Sequence, residues 1–373
     1  MRVICTTSIR GTVGGYDHGH IYDIDWDSGR IMRKLEVPPP KGERLLLALN
    51  PRGGARGGRG VRVVGDEVYV ANDNLILKYD LDWNERGLIS HQLLTRIHEI
   101  DVVHDGIWVA STGNDLAVKL DFSGRVLRVW SPRTDEQFKH AVGLARKYQR
   151  RWPVWTGSGY RQPWWLLRGV LKRLAGLQTL PKGTPRHILG EAPATVEEKL
   201  LWFSFRILPG LSPDDFHLNC VNAWGNEICV NLMFSPWPAR ACIVRIEPSF
   251  RIELSDDSLN GPHNGQLLDD KTVVVNDTKS GVLKVFDRRS GVLMKSISCE
   301  QMGLEGHPWL RGLKRLSSTR VLVGAGATSL FVEAASIPVQ VLELDLESEK
   351  VLRRVVLCED GRTSIHGLDA SES

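Results

Sequence analysis

Along most of this chain apolar and polar residues alternate with the period of a half-buried β-strand. The stretch from His217 to Leu232, HLNCVNAWGNEICVNL, shows the unit: an alternating run, the turn WGN, and a second alternating run. The same grammar recurs in RGVRVVGDEVYVAN from Arg59, HEIDVVHDGIWVAS from His98, HNGQLLDDKTVVVND from His263 and RGLKRLSSTRVLVGAG from Arg311. Each begins on a polar anchor, turns at Asp, Gly, Asn or Ser, and returns in a strand rich in β-branched residues. Most are followed by a third strand (LILKYDLDW, LAVKLDFSG, ACIVRIEPSF, GVLKVFDRRSG, VQVLELDLESE) and a fourth (LISHQLL, RVLRVWS, RIELSD, VLMKSIS, KVLRRVVL). Four strands per unit at a spacing of roughly 40–50 residues predict a β-propeller.

A sixth copy is split between the termini. HGLDA, from His366, supplies an anchor and a first strand, and RVICTTS, HIYDIDWDSG and RIMRKLEV at the other end supply the missing three. Pairing the two ends in one blade closes the ring and removes free sheet edges, which invite aggregation. The expected fold is therefore all-β: a six-bladed β-propeller closed by the N- and C-terminal strands in one blade, with a helical insertion. Residues 1–130 hold the closing blade's N-terminal strands and the first two blades, 131–212 the insertion, and 213–373 the remaining blades and the closure.

The first strand of a propeller blade lines the central channel, so the anchors form a ring at one mouth: Arg59, His98, His217, His263, Arg311 and His366. His98, His217 and His263 come from consecutive blades and can meet on one cation. Their nitrogens suit a divalent transition metal (Fe, Zn, Mn or Cu), whereas calcium would want oxygen ligands. Arg59 and Arg311 flank His366, an arrangement that suits a carboxylate, sulfate or phosphate, with His366 as acid or base. The loops after each second strand open on the same face. They bring Asp17, His18, His20, Asp73, Asn74, Asn114, Asn231, Asn276, Asp277 and Lys279 to the rim, of which His18, His20, Asn276 and Asp277 are expected to face a substrate. His307 lies close enough in sequence to reach that mouth, while His104 belongs to a solvated turn on the opposite face. The plainer reading is that polar residues merely hydrate the channel. For one histidine that reading prevails; for six chemically matched anchors at one repeat position, a site is the stronger reading. NPRGGARGGRG (Asn50 to Gly60) lacks the GKS or GKT of a phosphate-binding loop and reads as a flexible connection.

The insertion changes the charge picture. It holds fourteen Lys or Arg against five Asp or Glu, net +9, and five of the twelve tryptophans, in a chain whose net charge is only +4. WWLLRGVLKRLAGL (Trp164 to Leu177) has helical apolar spacing with Arg168, Lys172 and Arg173 on the other side. TVEEKLLWFSFRIL reads as a second helix, capped by Thr195 with Glu198 at the capping-box position. The insertion leaves and returns at the anchor face, so a basic, aromatic lid carrying Trp164 and Trp165 is expected over an anionic small-molecule, carbohydrate or lipid-linked substrate. A packed helical hairpin and a peripheral membrane contact through residues 150–180 are the alternatives. Nucleic acid is not expected as a partner, because the tryptophans fall on apolar helix faces rather than on stacking platforms.

Composition narrows the setting. The chain has 373 residues, 42% hydrophobic and 25% charged, which is ordinary for a globular protein. It has no apolar run of transmembrane length, and its start lacks the apolar stretch of a signal peptide. Six scattered cysteines without a CxxC pair point to reduced thiols and a cytoplasmic location.

DDFHLNCVNAWGNEICVNL resembles the H-x-N-S-V-type strand of bacterial arylsulfotransferases, propeller enzymes that use channel histidines and an arginine on sulfate esters. The order IHEIDVVHDGIWVAST, DDFHLN, GPHNGQLLDDKTVVVNDTKSGVLKVFD, WLRGLKRL, IHGLDA is similar to a large, uncharacterised family of bacterial propeller proteins, over roughly residues 95–130 and 212–370. The sulfotransferase resemblance implies that one of His217, His263 and His366 accepts sulfate while Arg311 binds it. Those enzymes are typically periplasmic and carry a further N-terminal domain, features this sequence does not display. The expected function is thus an enzyme with a His/Arg ring, metal-assisted, of lyase, hydrolase or oxygenase type, on an anionic substrate. Metal-free transfer through a channel histidine and a non-catalytic binding platform remain as alternatives.

Overall fold

The computed structural model describes residues 1–9, 18–38, 57–91, 93–142, 216–233, 241–326, 337–359 and 361–371. Trp164, Trp165, the two expected helices, the 150–180 segment and Asp17 lie outside them. The described residues form six four-stranded antiparallel sheets. The closing sheet runs β24 (Thr363–Ser371), β1 (Arg2–Ile9), β2 (His20–Asp25), β3 (Arg30–Glu36), so the last strand of the chain is innermost. The next blades are β4 (Val61–Val64) to β7 (Glu85–Ile89) and β8 (Ile97–Val103) to β11 (Val126–Trp130). Then come β12 (Leu218–Trp224) to β15 (Arg251–Asp256), β16 (Pro262–Leu267) to β19 (Leu293–Ser298), and β20 (Trp309–Arg315) to β23 (Lys350–Glu359). The protein is therefore a six-bladed β-propeller with the termini joined as the repeat pattern predicts. After β11 comes a short helix, α1 (Glu136–Ala141), absent from the sequence reading; Asp135 caps it by accepting a hydrogen bond from the Phe138 amide.

Alternation translates into packing. In each blade the second and third strands are almost wholly buried, while the fourth strands are largely exposed or half-buried. Apolar clusters fill the spaces between neighbouring blades: one joins Val274 and Leu283 to Leu313 and Val323, another joins Trp108 and Phe138 to Val221 and Val230. Each blade is thus stabilised by burial against its neighbours, with no core of its own. All six cysteines lie among the described residues, none is in a disulfide, and five are buried. Burial pushes the thiols of Cys242 and Cys299 up to about 12, so they are inert apolar fillers.

The inner strands share one irregularity. In β8 the ladder steps from Ile97↔Ser111 to Glu99↔Ala110 and skips His98; in β24 it steps from Ile365↔Thr7 to Gly367↔Thr6 and skips His366. β12, β16 and β20 shift register at the same level, after Leu218, His263 and Leu310. Ahead of β4, the Arg59 amide donates to the Ala71 carbonyl while the Ala71 amide donates to Gly60, so two residues face one. A bulge inserts an unpaired residue and re-aims its side chain. Repeated around the ring, it turns the anchors into the channel.

The channel is narrow at this level, which explains the glycine after several anchors. A Cβ on Gly367 would lie 2.3 Å from the Arg59 carbonyl oxygen and 2.7 Å from Thr6 Oγ1. Gly367→Ala is expected to cost about 2–3 kcal/mol through overpacking against backbone, read as a lowered urea midpoint. A shift equivalent to less than about 0.5 kcal/mol, the range of ordinary surface substitutions, would show that the inner strands are not held this close.

Candidate functional site

Four of the six anchors sit at the bulges: Arg59, His98, Arg311 and His366. His263 pairs with Asn276 immediately ahead of its bulge, which falls on Asn264 and Gly265. His217 does not sit at a bulge. The skipped residue of β12 is Asn219, and His217 lies two positions earlier with a left-handed φ of 48°. A second ring confirms the frame. Three residues beyond Arg59, His98, Asn219, His263, Arg311 and His366 stand Arg62, Asp101, Asn222, Gln266, Lys314 and Asp369. In a regular strand, positions i and i+3 face opposite ways; one inserted residue puts both on the channel side. Only Asn219, not His217, keeps that spacing in its blade.

His217 nevertheless reaches the cluster. Its ring centroid lies 5.0 Å from that of His98 and 6.1 Å from that of His263, and His98 and His263 are 6.3 Å apart. One ligand nitrogen from each of the three histidines falls within 4.8 Å of the others. Nitrogens bound tetrahedrally to zinc at 2.0–2.1 Å are about 3.3 Å apart, so small rotations would close the trio on an ion. Protonation is already arranged for this. His98 Nδ1 lies 3.0 Å from the Arg96 carbonyl, and His263 Nδ1 lies 2.9 Å from the Gly261 carbonyl. A carbonyl only accepts, so both Nδ1 atoms carry a proton, and in the neutral ring Nε2 is the nitrogen that presents a lone pair. Both carbonyls belong to residues two before the histidine with left-handed φ, 50° at Arg96 and 68° at Gly261. Burial, reinforced by Arg59, His217, Arg311 and His263, holds His98 well below the ordinary imidazole value, in the neutral form that binds metal.

His366 closes the other side of the ring, 6.3 Å from His98 between ring centroids. Arg59 Nη1 lies 2.9 and 3.1 Å from its two ring nitrogens, and Arg311 Nη1 lies 3.5 Å from both. Points equidistant from both nitrogens at that range cannot lie in the ring plane without overlapping Cε1, so each guanidinium nitrogen sits over the imidazole face. Arg311 is also steadied by Trp309, its guanidinium carbon 5.2 Å from the indole centroid. Arg59, Arg311, His98, His263 and His366 are all buried; His217 is the partly exposed member of the well they line.

Below the anchors the channel is filled. Glu99 accepts from Asn264 Nδ2 at 3.0 Å, and Arg62 lies 3.6 Å from the same carboxylate. Arg62 donates to Asp101 at 2.9 Å, and Lys314 pairs with Asp369 at 2.5 Å. Two cations and two carboxylates thus neutralise one another in the second ring. Burial raises the Glu99 carboxyl to about 7 despite Arg62. Paired charges therefore close the channel on this side of the anchors.

The expected rim residues are held within the fold. Asn276 is buried and donates to the Gly312 carbonyl of the next blade; Asp277 is buried, pairs with Lys284 at 2.9 Å and accepts from the Asn260 amide. Asn231 likewise donates to the Pro262 carbonyl. The ends of the second strands meet the neighbouring inner strand, so these side chains join blades. His18 is buried, its carbonyl against Gly57 two residues before Arg59. The His20 ring packs against Tyr22, 5.9 Å away, one strand farther out. His307 and His104 are exposed, the latter beside Asp105. Sequence reasoning missed Glu99, Asn219, Asn264 and the second ring. The polar-x-x-polar spacing carries the ring in every blade and signals the bulge.

Fold and site together define a β-propeller protein with a histidine- and arginine-lined well. No known family's sequence profile matches the chain, and no curated protein does. Among solved structures, it is similar to a protein of unknown function from Bacteroides caccae, with a TM-score of 0.54 and 11% identity over 98% of this chain and 97% of that one. It is similar also to a chain of a nidogen/laminin complex, with a TM-score of 0.50 and 10% identity over 98% and 97%. Likeness at such identity shows the propeller fold alone, and a relation to arylsulfotransferases is not shown.

Proposed function

We propose that this protein is an enzyme whose site is the well, with His98, His217 and His263 holding one divalent transition metal beside an anion subsite of Arg59, His366 and Arg311. The observation that carries the reading is the convergence of three imidazole nitrogens within 4.8 Å, with two nearby guanidiniums against a fourth imidazole. The metal would polarise a substrate oxygen, the arginines would hold a carboxylate, sulfate or phosphate, and His366 would move a proton.

The test is metal content by mass spectrometry on protein purified without an affinity tag. Near one equivalent of Fe, Zn, Mn or Cu is expected in the wild type and loss of that metal in His217→Ala and His263→Ala. Absence of metal from the wild type, even after reconstitution, overturns the reading. A second reading then gains from the guanidiniums lying over His366: transfer of a sulfuryl or phosphoryl group through that histidine without metal. It predicts an acid-labile adduct on His366 after incubation with an aryl sulfate or aryl phosphate, absent in His366→Asn.

A further inference from the structure

We infer that Asn264 is a positioning residue that holds the imidazole trio and the arginine pair in one frame; its consequence for metal binding rests on the reading above. The residue is 5% exposed and has a left-handed φ of 53°. Its Nδ2 donates to Glu99 Oε2 at 3.0 Å, and its Oδ1 accepts from the Gly312 amide at 2.9 Å. The assignment of the two amide ends is forced, because a carboxylate oxygen faces one and a backbone N–H faces the other.

Each partner is the covalent neighbour of a ring member. Glu99 follows His98, Gly312 follows Arg311, and Asn264 itself follows His263. One side chain therefore spans the channel between the blades of β8, β16 and β20. Asparagine is suited to this place. It tolerates left-handed φ better than most residues and carries a donor and an acceptor on one short arm. Aspartate would set an acceptor against the Glu99 carboxyl, and glutamine would be a methylene too long.

The variant Asn264→Gly deletes the amide while keeping a residue at ease with that φ. The control is Gln266→Leu, which removes the bond from Gln266 Nε2 to the Leu313 carbonyl in the second ring. Both variants are expected to lower the thermal midpoint. Competition with a chromophoric chelator should show Zn2+ affinity reduced about 10–100-fold in Asn264→Gly, the range for lost outer-shell partners, and within twofold of wild type in Gln266→Leu. In metal-free protein, the 15N-edited imidazole signals of His98 should move in Asn264→Gly and stay in place in the control. Wild-type affinity together with unmoved His98 signals in Asn264→Gly overturns the inference, as do equal effects in both variants. If the wild type binds no Zn2+, the metal reading falls, and the His98 signals alone decide the role of Asn264.

Discussion

Asp101→Ala is expected to destabilise the protein by about 3–5 kcal/mol, the usual cost of stripping one partner from a buried ion pair. Asp101 is 8% exposed and accepts from Arg62 Nε at 2.9 Å, from its neighbour Val102 N at 3.0 Å, and from Ala223 N in the next blade at 2.7 Å. Alanine leaves the Arg62 charge with its principal acceptor gone and an interblade amide unsatisfied. Urea unfolding of the variant should show this loss. The double variant Arg62→Met/Asp101→Leu should recover the part due to the stranded Arg62 charge, because apolar groups of similar volume replace buried pairs at little cost, while the Ala223 amide stays unsatisfied in both. A loss below about 1 kcal/mol in Asp101→Ala, the level of an exposed pair, would mean that water reaches the second ring and that its paired charges do not close the channel.

Glu99→Gln is expected to stabilise the protein relative to wild type as pH rises, by about 2–3 kcal/mol between pH 5 and pH 9. The folded carboxyl titrates at about 7, above its value near 4.3 in the unfolded chain. Between those values the folded state binds more protons, so wild-type stability falls as pH rises and levels off above the folded value. The neutral amide of the variant mimics the protonated acid and can still accept from Asn264 Nδ2, so the variant lacks this slope. Taking the difference between the two proteins cancels every other titrating group. A difference that stays flat from pH 5 to pH 9 would show that Glu99 is charged and hydrated rather than enclosed between the two rings.

Much of the architecture was legible because its causes are local. Period-two alternation, turn residues and one polar anchor per repeat are written into each blade, and the split sixth copy announces its own closure. The chemistry of the ring was legible for the same reason, since Arg59, His98, His263, Arg311 and His366 occupy one repeat position. His217 was read as an equivalent anchor. It reaches the cluster by a different route, from two residues ahead of the bulge, because the polar H-x-N of its blade offers two candidates one pleat apart. Asn276 and Asp277 were read as rim residues; their bonds to Gly312, Asn260 and Lys284 depend on how closely neighbouring strands approach, which alternation does not encode.

The sequence by itself thus determined six blades, their closure and the kinds of side chain gathered in the channel. Only the tertiary structure decided which of these touch. A one-residue bulge sets whether a side chain faces the channel or the core. The pairings Glu99 with Asn264, Arg62 with Asp101, and Arg59 with His366 then follow from distances between strands as far as 307 residues apart in the chain. The raised Glu99 and the depressed His98 belong to that second level, because burial by other blades is their largest cause.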